Sequence, residues 1–186
     1  MVPTTLASNV EHASDLFVAI VEKLMTQRML DQSFEQQVTP AQLLALRYLS
    51  LNESSLMSDV AEGLDISFPA ATKTIDRLVR KELASRIEDP HDRRVVRIQL
   101  TDRGKTLVTD VYEERSHRFA EVLERLDPTA RDGLKQTMEA FISAAIDDED
   151  TVNTVCLHCG SDHHDTCPVK VAYLRLTRAD TAAAAQ

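Results

Sequence analysis

Apolar and polar residues alternate strictly over a short stretch near the middle of the chain. One face of the predicted strand carries Val96, Ile98 and Leu100, and the other carries Val95, Arg97 and Gln99. Such a strand has one buried side and one side in water. Pro90 lies just upstream among Asp and His residues that favour turns. The pattern therefore predicts a β-hairpin with its tip near residues 90–94.

Two arginines, Arg93 and Arg94, stand at the predicted hairpin tip beside Asp92. A carboxylate in this position is able to orient one guanidinium, which leaves the other for an anion outside the chain. Charged loops are also the normal state of surface hairpins. The hairpin alone therefore fits both an anion-binding loop and an ordinary solvated one.

Two short helices with a tight connection at residues 65–67 are predicted directly upstream of the hairpin. The first presents Val60, Ala61 and Leu64 to a core. Ser67 is a good N-cap for the second, and Pro69 lies in its first turn, where a missing amide proton does no harm. The second helix buries one apolar face, which consists of Ala71, Ile75, Leu78 and Val79.

The opposite face of the second helix is small, hydroxylated and basic, with Ser67, Thr72, Lys73, Asp76, Arg77 and Arg80. A helix that enters the DNA major groove, about 12 Å wide, needs small residues for close approach and Lys or Arg for base edges and phosphates. A plain amphipathic surface helix is the alternative. Because the hairpin follows at once, the arrangement favours a winged helix that binds duplex DNA.

The run DPHDRRVVRIQLTDRG, from Asp89 to Gly104, closely resembles the signature of the MarR family of dimeric winged-helix transcriptional regulators. With the order of predicted elements, the resemblance covers residues 10–146. It implies a recognition helix at residues 67–81 in the major groove and a wing in the adjacent minor groove. It implies wing-tip contacts by Arg94, with Arg93 as second candidate, and an orienting role for Asp92. It also implies major-groove contacts by some of Ser67, Ala70, Thr72, Lys73 and Arg77.

Long amphipathic helices are predicted on both sides of this core. Residues 10–34 carry a helical stripe of apolar residues, and Thr39 and Gln42 have the spacing of a capping box at the start of the next helix. Thr101 caps a long helix after the hairpin, and a last helix follows it. These helices have more apolar surface than one copy readily covers, which favours a homodimer on a pseudo-palindromic operator in double-stranded DNA.

Charge is distributed unevenly along the chain. The net charge is −9, which by itself opposes binding to nucleic acid. Residues 67–105, however, contain ten Lys and Arg against six Asp and Glu, which makes this window +4 and the remainder −13. A basic face on an acidic molecule is compatible with DNA binding.

The family resemblance also implies a small-molecule effector in the cleft between the dimer helices and the DNA-binding core. The helices at residues 24–34 and 39–48 are the candidates to line that cleft, but their apolar residues are better explained by ordinary core packing, so none is assigned as a ligand contact. The chemical identity of the effector does not follow from the sequence.

The tail, residues 149–186, departs from the family pattern. It contains all three cysteines of the chain and adjacent histidines, which gives the candidate metal ligands Cys156, Cys159, His163, His164 and Cys167. Two thiolates in a C-x-x-C turn, a third cysteine and one histidine suit a tetrahedral zinc site, our first choice. An iron–sulfur cluster is the second choice, and a metal-free tail with a reversible disulfide is the third. Beyond the cysteines, the alternation from Val169 predicts a short strand or an extended arm before a disordered end.

The sequence thus predicts a mainly α protein with a small β-wing. In chain order, we expect a dimerisation helix (1–36), a winged helix-turn-helix domain (37–104), C-terminal dimerisation helices (105–148) and the Cys/His-rich tail (149–186). Without a recognisable secretion signal or membrane span, we expect a cytoplasmic location. The rival interpretation is a thiol-dependent oxidoreductase, or another metal-binding protein without DNA binding, but no nucleophile with its base and no phosphate-binding glycine loop is present.

Overall fold

The computed structural model describes residues 3–33, 38–89, 92, 94–148, 151–152, 155–156 and 166–183, with only the backbone for 32–33 and 178–183. This part of the chain is mainly helical and contains one small sheet. The helices are α1 (Thr4–Glu22), α2 (Arg28–Ser33), α3 (Pro40–Leu51), α4 (Met57–Gly63), α5 (Phe68–Arg80), α6 (Asp102–Glu124), α7 (Pro128–Ala145) and α8 (Pro168–Ala183). The strands are β1 (Ser55–Leu56), β2 (Ala84–Glu88) and β3 (Val96–Leu100). This architecture confirms the predicted winged helix-turn-helix class.

A wide π-helical turn, Lys23–Gln27, joins α1 to α2 and makes them one nearly continuous rod. Met25 in this turn is buried, and Met29 and Leu30 in α2 are fully buried. The rod therefore enters the protein core only at its C-terminal end.

The predicted capping residues begin the helices as the sequence indicates. Thr39 and Gln42 form the capping box at the start of α3, with Pro40 in the first helical position. The Ser67 hydroxyl accepts a hydrogen bond from the backbone N–H of Ala70, and the Thr101 hydroxyl accepts one from Gly104. Local side-chain chemistry thus fixes where the recognition helix and α6 begin.

The sheet is antiparallel, with β3 between β1 and β2. The pairing runs from Ala84 opposite Leu100 to Glu88 opposite Val96. Ile98 and Leu100 are buried as predicted, whereas Val96 is 42% exposed because it lies where the hairpin projects beyond the core.

One hydrophobic core joins α2 to α6 with the sheet. Its fully buried side chains include Met29, Leu30, Leu46, Val60, Ile75, Leu78, Leu83, Ile98 and Val111. Gly104 allows α6 to approach this core, since a Cβ there would collide with the backbone carbonyl of Leu83.

The tail contains a helix, α8, so the predicted strand or extended arm is wrong. Val169 and Ala172 are buried with Cys167 against Ile146, and Leu176 packs on the same cluster. Val169, Ala172 and Leu176 are spaced by three and four residues and therefore lie on one face of a helix. The alternation of apolar residues from Val169 had suggested a strand instead. The Arg175 guanidinium also donates to the carbonyl oxygen of Ile146 at 2.7 Å. Residues 184–186, part of the predicted disordered end, lie outside the described residues.

No helix in the described part of the chain has the length and apolarity needed to cross a membrane.

Candidate nucleic-acid interface

The turn between α4 and α5 holds the recognition helix against the core. Asp65 in this turn adopts a left-handed backbone with φ of 51°, a conformation that Asp tolerates better than most residues. Ala71, Ile75 and Leu78 are fully buried and Val79 is partly buried, so the predicted inner face of α5 is confirmed. The other face of α5 is left toward solvent.

The structure brings the predicted major-groove residues together on α5. Ser67, Lys73 and Arg77 are exposed, whereas Ala70 and Thr72 are half-buried. The Thr72 hydroxyl donates to the carbonyl oxygen of Phe68 at 2.9 Å, which fixes its orientation. Small residues at the start of α5 and two exposed cations further along give the face the composition that close contact with DNA requires.

The one acidic residue on this part of α5 is neutralised by a neighbouring strand. The Asp76 carboxylate accepts from the Arg86 guanidinium of β2 at 2.7 Å, and both side chains are about two-fifths exposed. Exposed ion pairs of this kind contribute little stability. Here the pair removes a negative charge from a surface that would face phosphates.

At the wing tip, Asp92 and Arg94 are both exposed, and Asp92 fixes the turn through the backbone. Its carboxylate accepts from the backbone N–H of Arg94 at 3.0 Å. The Val95 N–H donates to the Asp92 carbonyl, and the Asp89 N–H donates to the Val95 carbonyl, both at 2.9 Å. These hydrogen bonds link the backbone at Arg94 to Asp92 and to the end of β2. The second wing candidate, Arg93, lies outside the described residues.

Sequence reasoning missed a second arginine that organises the wing. Arg97 Nε donates to the Asp89 carboxylate at 2.7 Å, and its Nη1 donates to the Ser54 carbonyl at 3.1 Å. The Asp89 side chain is only 15% exposed, so water screens this pair less than a surface pair. The alternation along the strand predicted that Arg97 faces water. Its proximity to Asp89 could have been inferred only from the register in which β2 and β3 pair. The contact with Ser54 spans 43 residues and has no sequence signal.

A cavity of about 850 Å³ lies between α3, β3 and α6. Arg47 stacks over the Tyr112 ring at 4.2 Å from its centroid, and both residues line the cavity together with Lys105, Glu53 and Glu113. Ser54, whose carbonyl accepts from Arg97, also lines the cavity. The cavity therefore reaches the segment that anchors the wing.

Two of the five predicted metal ligands lie in the described residues. Cys167 is buried and Cys156 is half-buried, and both pack against the cluster around Ile146. Cys159, His163 and His164 lie outside the described residues. Among the side chains that the structure does describe, no group of three or more Cys, His, Asp or Glu is arranged to hold a metal ion.

Comparison with known proteins agrees with this geometry. The MarR family profile matches residues 36–95. The HTH-type transcriptional repressor MdtR of Bacillus subtilis is 35% identical over 108 residues, which cover 58% of this chain and 69% of MdtR. The structure of YusO from Bacillus subtilis has a TM-score of 0.64 at 27% identity and covers 78% of this chain and all of YusO. FabT of Streptococcus pneumoniae, solved in complex with DNA, has a TM-score of 0.61 at 13% identity, over 73% of this chain and 94% of FabT, a likeness of fold alone.

The fold and the basic recognition surface define a winged-helix transcriptional regulator. The chain belongs to the MarR family. The predictions of a DNA-binding regulator and of a protein that is not an enzyme are both confirmed, and the thiol oxidoreductase interpretation is set aside.

Proposed function

We propose that the protein is a homodimeric repressor that occupies a pseudo-palindromic operator in double-stranded DNA until a signal releases it. The observation that carries this proposal is that the exposed cations of α5 and the exposed Arg94 of the wing belong to elements that pack on one hydrophobic core. Two such units on a two-fold axis would fit half-sites about one helical turn apart. A repressor of this kind works at the chromosome, which in bacteria means the cytoplasm.

Apolar surface on the flanking helices supports the dimer. Neither α1 nor α7 has a buried residue in the single copy. Large apolar side chains stay exposed on them, including Leu6, Val10, Leu16, Phe17, Val18 and Ile20 on α1 and Leu134 and Phe141 on α7. Exposed apolar helix faces of this length mark an interface, and a second copy supplies matching faces by symmetry.

Repression is proposed from the relative MdtR, whose name describes a repressor. The test is a fluorescence anisotropy titration of the full chain with a 30-base-pair duplex from the region upstream of its own gene. We expect a Kd near about 10⁻⁸ M at physiological salt, two chains per duplex by light scattering, and lower affinity for a scrambled duplex of equal length. Failure to bind either duplex at low salt would end the proposal, and activation of a reporter by the protein would exclude repression.

Two routes would carry a signal to the operator complex. The first is a small-molecule effector in the 850 Å³ cavity, whose stacked Arg47–Tyr112 pair and mixed charges suit a polar organic ligand. This route is supported by Ser54, which lines the cavity and whose backbone carbonyl accepts a hydrogen bond from Arg97 of the wing.

The second route is a metal centre in the tail, with zinc before an iron–sulfur cluster. The donor set supports it, because three thiolates with one imidazole from His163 or His164 satisfy the ligand preferences of zinc. The gathering of Cys156 and Cys167 on one apolar cluster also agrees with a shared site. When bound, the metal would cross-link the tail beside Ile146, at the C-terminal end of α7.

Elemental analysis and an absorption spectrum of anaerobically purified protein separate these routes. The metal route predicts about one zinc per chain and no colour, or a brown protein if a cluster is present. Replacement of Cys156, Cys159 and Cys167 by Ser is then expected to remove the metal and to alter operator affinity. Equal metal content and equal affinity in the triple variant and the wild type would exclude the metal route and leave the cavity route.

A further inference from the structure

A large aromatic side chain is exposed at the start of the recognition helix. Phe68 is the first residue of α5, directly after the N-cap Ser67, and it is 56% exposed. Two other exposed phenylalanines, Phe17 and Phe141, lie on the flanking helices α1 and α7. Among the described residues of α5 and the wing, Phe68 is the largest exposed apolar side chain. It is not among the residues that the sequence assigned to the major groove.

Phe68 lies on the apolar side of α5 but beyond the end of the core. Phe68, Ala71 and Ile75 are spaced by three and four residues, so they lie on one side of the helix. Ala71 and Ile75 are fully buried, whereas Phe68, one turn earlier, is outside the buried cluster. Side chains of a helix also tilt toward its N-terminus. The Phe68 ring therefore projects past the end of α5 with which a recognition helix contacts base edges.

The contact surface that the first turn of α5 adds is mainly apolar. Residues 66–72 contain no charged side chain. The Ser67 hydroxyl accepts from the Ala70 N–H, and the Thr72 hydroxyl donates to the Phe68 carbonyl, so each hydroxyl already makes a backbone hydrogen bond. The exposed ring of Phe68 has no polar group to satisfy, and an apolar group in the groove is its natural partner.

Thymine is the base that displays an apolar group in the major groove. Its C5-methyl group lies at the groove edge, whereas the other bases present hydrogen-bond donors and acceptors there. An aromatic ring packed on this methyl group removes both from water, which favours binding by about threefold to tenfold per methyl group. Cytosine offers the same group only when it is methylated at C5.

We propose that Phe68 packs on the C5-methyl group of one thymine in each operator half-site, so that this methyl group is a requirement for tight binding. The inference rests on the proposed DNA binding and names a chemical feature that the operator must carry. At this contact, 5-methylcytosine would replace thymine and uracil would not.

The test replaces the thymines of the 30-base-pair upstream duplex one at a time by uracil, which removes the methyl group and keeps the base pair. Anisotropy titrations compare the wild type with Phe68→Ala and with the control Ile66→Ala, which shortens another exposed apolar side chain two residues away. For the wild type and the control, we expect one position in each half-site at which uracil lowers affinity about threefold to tenfold. Phe68→Ala should bind the unmodified duplex about tenfold to a hundredfold more weakly, since both half-sites lose the contact, and should show no further loss at those positions.

Two further measurements separate a methyl contact from other effects. The slope of log K against log salt should be the same for Phe68→Ala and the wild type, because no charge is removed. In a duplex with a C·G pair at the sensitive position, methylation of that cytosine at C5 should restore about threefold to tenfold in affinity for the wild type and nothing for Phe68→Ala.

A uracil scan in which Phe68→Ala and the wild type lose the same factor at every position contradicts the contact. Full binding of the unmodified duplex by Phe68→Ala contradicts it as well. If Phe68→Ala sediments as a monomer where the wild type is a dimer, the ring serves a contact between proteins instead. Circular dichroism establishes that the variant is folded, as expected for a residue outside the core. If the wild type itself binds no duplex, the proposed function fails rather than the Phe68 contact alone.

Discussion

Replacing Phe17 and Phe141 with Glu is expected to convert the proposed dimer into monomers and to abolish operator binding at micromolar protein. Phe17 is 40% exposed and Phe141 is 60% exposed in the single copy, so neither substitution removes core packing within the chain. In a dimer each would place a charge in an apolar interface, at a cost of about 2 kcal/mol or more per site. With two sites in each of two copies, the dissociation constant of the dimer should rise more than about a thousandfold. Sedimentation velocity and anisotropy measure the two effects.

The matched control for this experiment is Leu51→Glu. Leu51 is 47% exposed at the end of α3, outside the proposed interface, and its substitution introduces one carboxylate on an exposed apolar position, against two in the double variant. The control should stay dimeric and should bind DNA as the wild type does. A variant of Phe17 and Phe141 that sediments as a dimer and still binds the operator would show that α1 and α7 do not form the interface.

Removing the wing arginines is expected to weaken operator binding in two distinguishable ways. Arg94→Ala removes an exposed cation at the tip, so affinity should fall about tenfold to a hundredfold and the salt slope by about one. Arg97→Ala removes the bonds to Asp89 and Ser54 instead, so the wing loses its anchor but keeps its tip charge. We expect a similar loss of affinity with little change in salt slope.

Hydrogen exchange separates the two variants further. Amides at residues 89 and 94–97 should exchange faster in Arg97→Ala and at the wild-type rate in Arg94→Ala. Arg97→Lys should not restore affinity, because one ammonium lacks the planar fork that joins a carboxylate to a carbonyl. Full binding by Arg97→Lys, or an unchanged exchange rate in Arg97→Ala, would show that Arg97 does not anchor the wing.

Local chemistry explains why so much of the fold followed from the sequence. The caps at Thr39, Ser67 and Thr101 act over three residues, and the alternation around Ile98 acts over five, so both are visible as patterns. The recognition helix was accordingly predicted to within a residue of Phe68–Arg80. The candidate DNA surface on α5 could be predicted because the apolar residues identify the buried face of the helix, and the polar residues between them must then face solvent.

The features that the sequence did not reveal depend on distant parts of the chain. Lys81 meets Gln42 across 39 residues, and Arg97 meets Ser54 across 43, so no spacing rule links either pair. The prediction of a strand in the tail was wrong for a different reason. Val169, Val171 and Tyr173 alternate as a strand would, and only the surface of Ile146 selects the helical face that contains Val169 and Ala172. Tertiary packing there overrode a weak local preference.

The π-helical turn Lys23–Gln27 sets the rotational phase of the N-terminal rod. Such a turn accommodates one residue more than a regular α-helical turn, and each added residue rotates what precedes it by about 100°. The apolar side of α2 faces its own core at Met29 and Leu30, whereas the apolar residues of α1 leave that core. The apolar faces of α1 and α2 therefore point in different directions around the rod axis. Deleting a single residue from the turn would rotate the apolar face of α1 about that axis by about 100° relative to α2.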